Sequence, residues 1–180
     1  IKCQRCEIIV VLPLFLPPKL TSCPLKPANM SLTKYTVFVK AFAELSPYEL
    51  YAIMRLRNEV FVLEQQCIYQ DADNKDPHCH HLMIYDKDFL VAYARILPPG
   101  LAYEKMSIGR VISSPAYRKT GAGKLLLEKS IEACRTLFGE GPIKIGAQLY
   151  LQKFYESFGF VQTSDVYDED EIEHIEMVLD

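Results

Sequence analysis

The sequence predicts an α/β fold, a central mixed β-sheet with helices on both faces. Three observations carry this. Stretches with strand-like patterning occur at residues 35–42, 81–85, 89–97 and 108–113. Leu127, Ile131, Cys134 and Phe138 repeat at four, three and four residues, the spacing of one helix face. Beyond them, a strand-like stretch, a helical stretch and two more strand-like stretches follow, an order that fits a sheet covered by helices.

Composition bounds the rest. With 180 residues, the chain is long enough to bury one full core. Apolar content of 49% with 24% charged residues is ordinary for a soluble globular protein. A net charge of −3 lacks the basic excess of a nucleic-acid binder, so no nucleic-acid partner is expected. No apolar stretch reaches the roughly 18 residues that span a membrane. Cys67, Cys79 and Cys134 are scattered and read as buried free thiols of a reducing cytoplasm.

Residues 1–30 differ from the remainder. Pro13, Pro17, Pro18, Pro24 and Pro27 break any period there, so this segment reads as a disordered or expression-derived extension. A secretory leader is the sharper alternative, from Lys2, Arg5 and the apolar run that follows. Residues 31–180 form the expected domain.

The first strand covers 35–42. Ser46, Pro47 and Glu49 make a capping box with proline at the first helical position. Leu50, Ile53, Met54 and Arg57 lead on to Val60 and Phe61 along one face. Arg55, Arg57, Glu59 and Glu64 are expected mostly on the solvated side. Residues 65–78 are polar and irregular. Asp71, Asp73, Asn74 and Asp76 suggest a calcium loop, but Lys75 and Asp76 stand where an oxygen ligand and a glycine are needed. His78, Cys79, His80 and His81 are adjacent on an expected strand entry, so at most two would converge. No metal site is expected. Asp86, Lys87 and Asp88 join two strands as a hairpin. A strand at 108–113 precedes a basic glycine turn and the long helix. A further strand at 142–148, a helix carrying Leu151, Phe154, Tyr155 and Phe158, a strand at 160–163, an acidic loop at 165–171 and a last strand at 174–179 complete the order.

The chemistry concentrates in the glycine turn. The first N–H groups of a helix lack partners within it and lie at the positive end of its dipole, so a glycine turn entering a helix is an anion site. Arg118, Lys119 and Lys124 add positive charge. The P-loop spacing fails, since Arg118 and Leu125 occupy key positions. The dinucleotide fingerprint fails at Leu126. What remains is R-x-x-G-x-G, from Arg118 through Lys119, Thr120, Gly121 and Ala122 to Gly123. Downstream, Tyr155 to Phe160 reads Y-E-S-F-G-F.

In this order and separation, the two motifs resemble the GCN5-related N-acetyltransferase (GNAT) family. RNEVFVLEQQCIYQDAD, YARILP and HIEM are most similar to its ElaA-type branch, and the resemblance spans about residues 32–179. It implies the acyl-CoA N-acyltransferase fold, in which a strand, a splayed gap and a second helix follow the long helix in that order. It implies acetyl-CoA as co-substrate and a primary amine, on a small molecule or a protein, as acceptor. Val111, Ile112 and Ser113 would offer backbone groups to the pantetheine arm, and an N–H there would polarise the thioester carbonyl. Arg118, Lys119, Thr120, Gly121, Ala122 and Gly123 would hold the pyrophosphate, with Lys124 just inside the helix. Gln148 stands where many relatives have an asparagine on the pantetheine. Tyr155 is the implied general acid toward the leaving thiolate. The base is open among Glu59, Glu64, His81 and His174. Arg110 would orient an acidic group on the substrate or form a structural ion pair. A CoA-binding module without turnover and a longer-chain acyltransferase, as in homoserine-lactone synthases, are the alternatives. The oligomeric expectation is a monomer or homodimer.

Overall fold

The computed structural model describes residues 34–180. The expectations for residues 1–30 lie outside the described residues.

Strand β1 (Thr36–Ala41) leads into α1 (Pro47–Arg57). The helix starts where the capping box predicts. The Ser46 side chain accepts from the Glu49 N–H at 3.2 Å, and the Glu49 carboxylate accepts from the Ser46 N–H at 2.8 Å. It continues as a π-helical segment, Asn58–Glu64, so the chain stays coiled further than its α-helical hydrogen bonds do. Next come β2 (His80–Asp86), β3 (Phe89–Leu97) and β4 (Met106–Ser113). Helix α2 (Ala122–Phe138), β5 (Ile143–Gln148), the short α3 (Gln152–Glu156), β6 (Val161–Gln162), β7 (Tyr167–Glu169) and β8 (Ile172–Leu179) follow.

The sheet runs β1-β2-β3-β4-β5-β8-β6, with β7 also on β8. Among the described residues, only β4 and β5 pair in parallel, and only at Met106–Ile143 and Ser107–Lys144. Beyond Ser107 the two strands part. A wedge therefore opens between residues 108–113 of β4 and the end of β5.

Both faces of the sheet are covered. On β2, Leu82 and Ile84 pack with Leu126, Leu127 and Cys134 of α2, whereas Met83 packs with Ile53, Leu56 and Val60 on the α1 side. This is the period-2 alternation of a strand with a helix on each face. Each such aliphatic side chain contributes about 1.5–3 kcal/mol by leaving water. The predicted α2 face holds: Leu127 and Cys134 are fully buried, and Ile131 and Phe138 flank them.

Two local expectations are corrected. The acidic stretch is a hairpin rather than a loop, because Asp170 and Glu171 take positive φ (54° and 63°) and let β7 fold onto β8. Arg57 does not face solvent. It is 1% exposed, and its charge is met inside the protein.

Candidate active site

The turn before α2 is built to leave its backbone accessible. Gly121 caps the helix at φ 91°, a conformation natural to glycine, and a Cβ at Gly121 or Gly123 would project into open space. Lys119 also has positive φ (62°). The turn is pinned from behind. The Tyr35 hydroxyl donates to Thr120 Oγ1 at 2.9 Å, and Thr120 Oγ1 donates to the Tyr117 carbonyl at 2.5 Å. Arg118 precedes the start of this 17-residue helix and Lys124 lies in its first turn, where the first N–H groups have no partner within the helix. These features fit a diphosphate.

The strand that borders the wedge is irregular. Opposite Ala94 of β3, strand β4 carries two residues, Arg110 and Val111, between the pairs Arg95–Gly109 and Tyr93–Ile112. This is a β-bulge, and Arg110 within it has φ 51°. A left-handed non-glycine residue costs on the order of 1 kcal/mol, so something must hold it.

The holder is a cluster of ions that the sequence resolves only into separate pieces. Arg110 Nε donates to Asp71 Oδ1 at 2.7 Å, while Phe61 and Tyr69 present their rings at 5.8 and 5.5 Å. The other oxygen of Asp71 takes Arg57 Nε at 2.7 Å. Arg57 Nη1 also reaches Asp76 at 3.0 and 2.9 Å, and Arg95 joins Asp76 and Asp73 at 2.9 and 2.7 Å. The would-be calcium loop is therefore an arginine receptor. Burial would push the Asp71 and Asp73 carboxyls up, but the arginine hydrogen bonds and charges outweigh it and hold both below the ordinary range. One signal was available in the sequence. Arg95 interrupts an apolar strand, and a buried charge must be paired.

The four residues 78–81 fan apart. The Cys79 thiol donates to the Lys75 carbonyl, and the edge of the His80 ring meets Phe138. His81 is fully buried, with Nδ1 2.8 Å from the Tyr93 hydroxyl and Nε2 3.1 Å from the Asp76 carbonyl. Burial lowers its pKa, and the ring bonds inward rather than toward the wedge. Among the described residues no three His, Cys, Asp or Glu side chains group to hold a metal ion.

Across the wedge from β4 stands Gln148. Its amide exchanges hydrogen bonds with Gln65 at 3.4 Å each way, and it accepts from the Tyr150 hydroxyl at 2.6 Å. Next to Gln65, the Glu64 carboxylate receives both guanidinium nitrogens of Arg118, one at 2.6 Å. Arg118 holds the Glu64 carboxyl below its ordinary pKa. The end of the π-helical segment thus touches both the turn and β5. Tyr150 and Gln65 were not singled out from sequence, where nothing joins them to Gln148.

Tyr155 sits on α3 against Phe154 and Phe160, 5% exposed. Burial, with a smaller push from the Tyr150 phenol, raises its pKa and keeps it protonated at neutral pH. Opposite Gln148 on β8 lies His174, its Nδ1 2.8 Å from the Ile172 carbonyl and its ring stacked on Tyr167. A cavity of about 410 Å³ lies beyond, lined by Leu149, Tyr150, Glu171, Ile172 and Glu173.

The described residues include no helix long and apolar enough to cross a membrane. A family model described as an acetyltransferase (GNAT) domain matches residues 44–180. The protein ElaA of Escherichia coli is 46% identical over 137 residues, covering 75% of this chain and 90% of ElaA. The crystal structure of E. coli ElaA superposes with a TM-score of 0.77 at 42% identity, over 81% of this chain and 99% of that one. An acyl-CoA N-acyltransferase from Pseudomonas aeruginosa gives 0.76 at 42% identity, over 80% and 98%. The acyl-homoserine lactone synthase BjaI, at 15% identity, shares the fold alone, with a TM-score of 0.67 over 80% and 82%.

Proposed function

The chain belongs to the GNAT acetyltransferase family, and on that premise we propose that it transfers an acetyl group from acetyl-CoA to a primary amine by direct attack. The observation that carries this is the pairing of an open glycine turn at the start of α2 with a strand pair that parts after Ser107. Arg118 to Gly123 and Lys124 receive the pyrophosphate. Val111, Ile112, Ser113 and Gln148 line the pantetheine arm. The backbone at the β4 bulge polarises the thioester carbonyl as it gains charge. The amine nitrogen bonds to the carbonyl carbon, the C–S bond breaks, and the thiolate takes the Tyr155 proton. The amine's own proton leaves to a base or water. The products are the amide and free CoA.

The amine side of the wedge is acidic. Glu171 and Glu173 line the cavity beside Tyr150 and have no ion-pair partner among the described residues. This favours an ammonium-bearing acceptor, whether a small molecule or an exposed protein amine.

The test is calorimetric binding of acetyl-CoA to the full chain, beside a Gly121→Glu, Gly123→Glu variant. Binding in the parent and none in the variant supports the placement, and an amine screen read by free thiol follows. No binding in a folded parent overturns it. A series of acyl-CoA donors of increasing chain length tests the acetyl preference: faster turnover with a longer acyl group rejects it.

A further inference from the structure

We infer that Asp71 is a positioning residue for acyl transfer: it holds Arg110 in its left-handed conformation and so aims the Val111 backbone into the wedge between β4 and β5. This rests on the acyl-CoA reading above.

Arg110 occupies a bulge position, with φ 51°, that glycine fills most easily. Its guanidinium makes two hydrogen bonds, both to Asp71, Nε to Oδ1 at 2.7 Å and Nη2 to the carbonyl at 3.3 Å, and a longer ion pair from Nη2 to Asp73 Oδ2 at 3.7 Å. Phe61 and Tyr69 flank it. A side chain so engaged fixes the backbone that carries it. The anchor is itself fixed. Asp71 Oδ2 takes Arg57 Nε at 2.7 Å, the Asp71 carbonyl takes Arg57 Nη2 at 2.8 Å, and Arg57 is 1% exposed in α1. Arg57 in turn shares Asp76 with Arg95 of β3, which is 3% exposed. The bulge is thereby tied to the helix on one face of the sheet and to the strand beside it. Ala94, opposite the bulge, is fully buried and offers no side-chain support of its own.

The arrangement separates two roles for Arg110. If its charge contacts substrate, any substitution that removes the guanidinium fails alike. If it sets the backbone, glycine at position 110 restores what alanine loses, because glycine enters positive φ without strain. Arg110→Ala and Arg110→Gly delete the same ion pair, so a difference between them belongs to the backbone.

The experiment uses the full chain with [1-¹³C]acetyl-CoA. Calorimetry reports binding, and the carbonyl ¹³C resonance of the bound thioester reports polarisation without any acceptor. The parent and Arg110→Gly are expected to bind with affinities within about threefold of each other and to show the same downfield shift. Arg110→Ala and Asp71→Asn are expected to bind with that affinity and to lose most of the shift. Introducing Asp71→Asn on the Arg110→Gly background should leave the glycine variant's shift in place. Loss of the shift in Arg110→Gly equal to that in Arg110→Ala overturns the proposal, as does a full shift in Arg110→Ala. No acetyl-CoA binding by the folded parent overturns the acyltransferase reading itself, a result distinct from binding with an unchanged shift across the series.

Discussion

Tyr155 and Glu64 make opposite demands at the scale of single residues. Tyr155 is held protonated by burial, so its proton stays available through neutral and mildly alkaline pH. Replacing it by phenylalanine removes the donor and keeps the packing against Phe154 and Phe160. The expected result is a fall in kcat of roughly 100-fold or more with acetyl-CoA binding unchanged, read by calorimetry and thiol release. The parent's kcat should show no alkaline fall below about pH 10, since the phenol titrates above its ordinary value; a fall near pH 8 would remove Tyr155 from the role. Glu64 instead holds Arg118, and on the proposed binding it would compete with the co-substrate for that guanidinium. The pair is exposed and worth at most about 1 kcal/mol. Glu64→Gln should therefore tighten CoA binding by up to about fivefold, and weaker binding would instead make Glu64 part of the binding site.

Elements are held together here by charge as well as by apolar packing. Arg57 links α1 to the loop at 71–76, and removing it takes the buried partner from Asp71 and leaves Asp76 with Arg95 alone. Arg57→Ala should cost about 3–5 kcal/mol in urea unfolding; a cost below about 1 kcal/mol would mean that water replaces the guanidinium. Stability should also follow His81. Its pKa is depressed in the folded protein and near 6.5 when unfolded. As pH falls, the unfolded chain takes the proton first, so this stability is complete above about pH 6.5 and is lost as pH drops through the folded value. The thermal midpoint should fall between about pH 7.5 and 5.5, and fall less in His81→Gln. The elements themselves were legible in the sequence where a helical period dominates, as along α2, or where an apolar run is bounded by turn residues, as along β3. The site's turn was legible too, because its residues are contiguous. What stayed hidden joins residues far apart in sequence: Arg57 to Asp76, Glu64 to Arg118, Gln65 to Gln148. Strand β7 was hidden for another reason. Asp and Glu are poor strand formers, and only pairing with β8 makes residues 167–169 extended.

For the molecule as a whole, the decisive feature is that two groups of strands share a single short parallel contact. β1 to β4 form one group and β5 to β8 the other, joined at Met106–Ile143 and Ser107–Lys144. Past that contact, the edge of each strand that faces the wedge has no strand partner among the described residues, an arrangement that elsewhere invites an added strand. On the proposed binding, an extended pantetheine arm would pair with those groups and couple the two halves. Binding should therefore stabilise the whole fold, by about 2.7 kcal/mol at a ligand concentration 100 times Kd. It should also slow amide hydrogen exchange in a particular pattern. Protection is expected at residues 108–113, 145–148 and 118–124, with little change on β1 or α1. Hydrogen exchange with and without acetyl-CoA reads this directly. Protection confined to the turn at 118–124 would mean that the diphosphate binds while the arm lies elsewhere. That outcome would leave the anion site standing and remove the wedge from the chemistry.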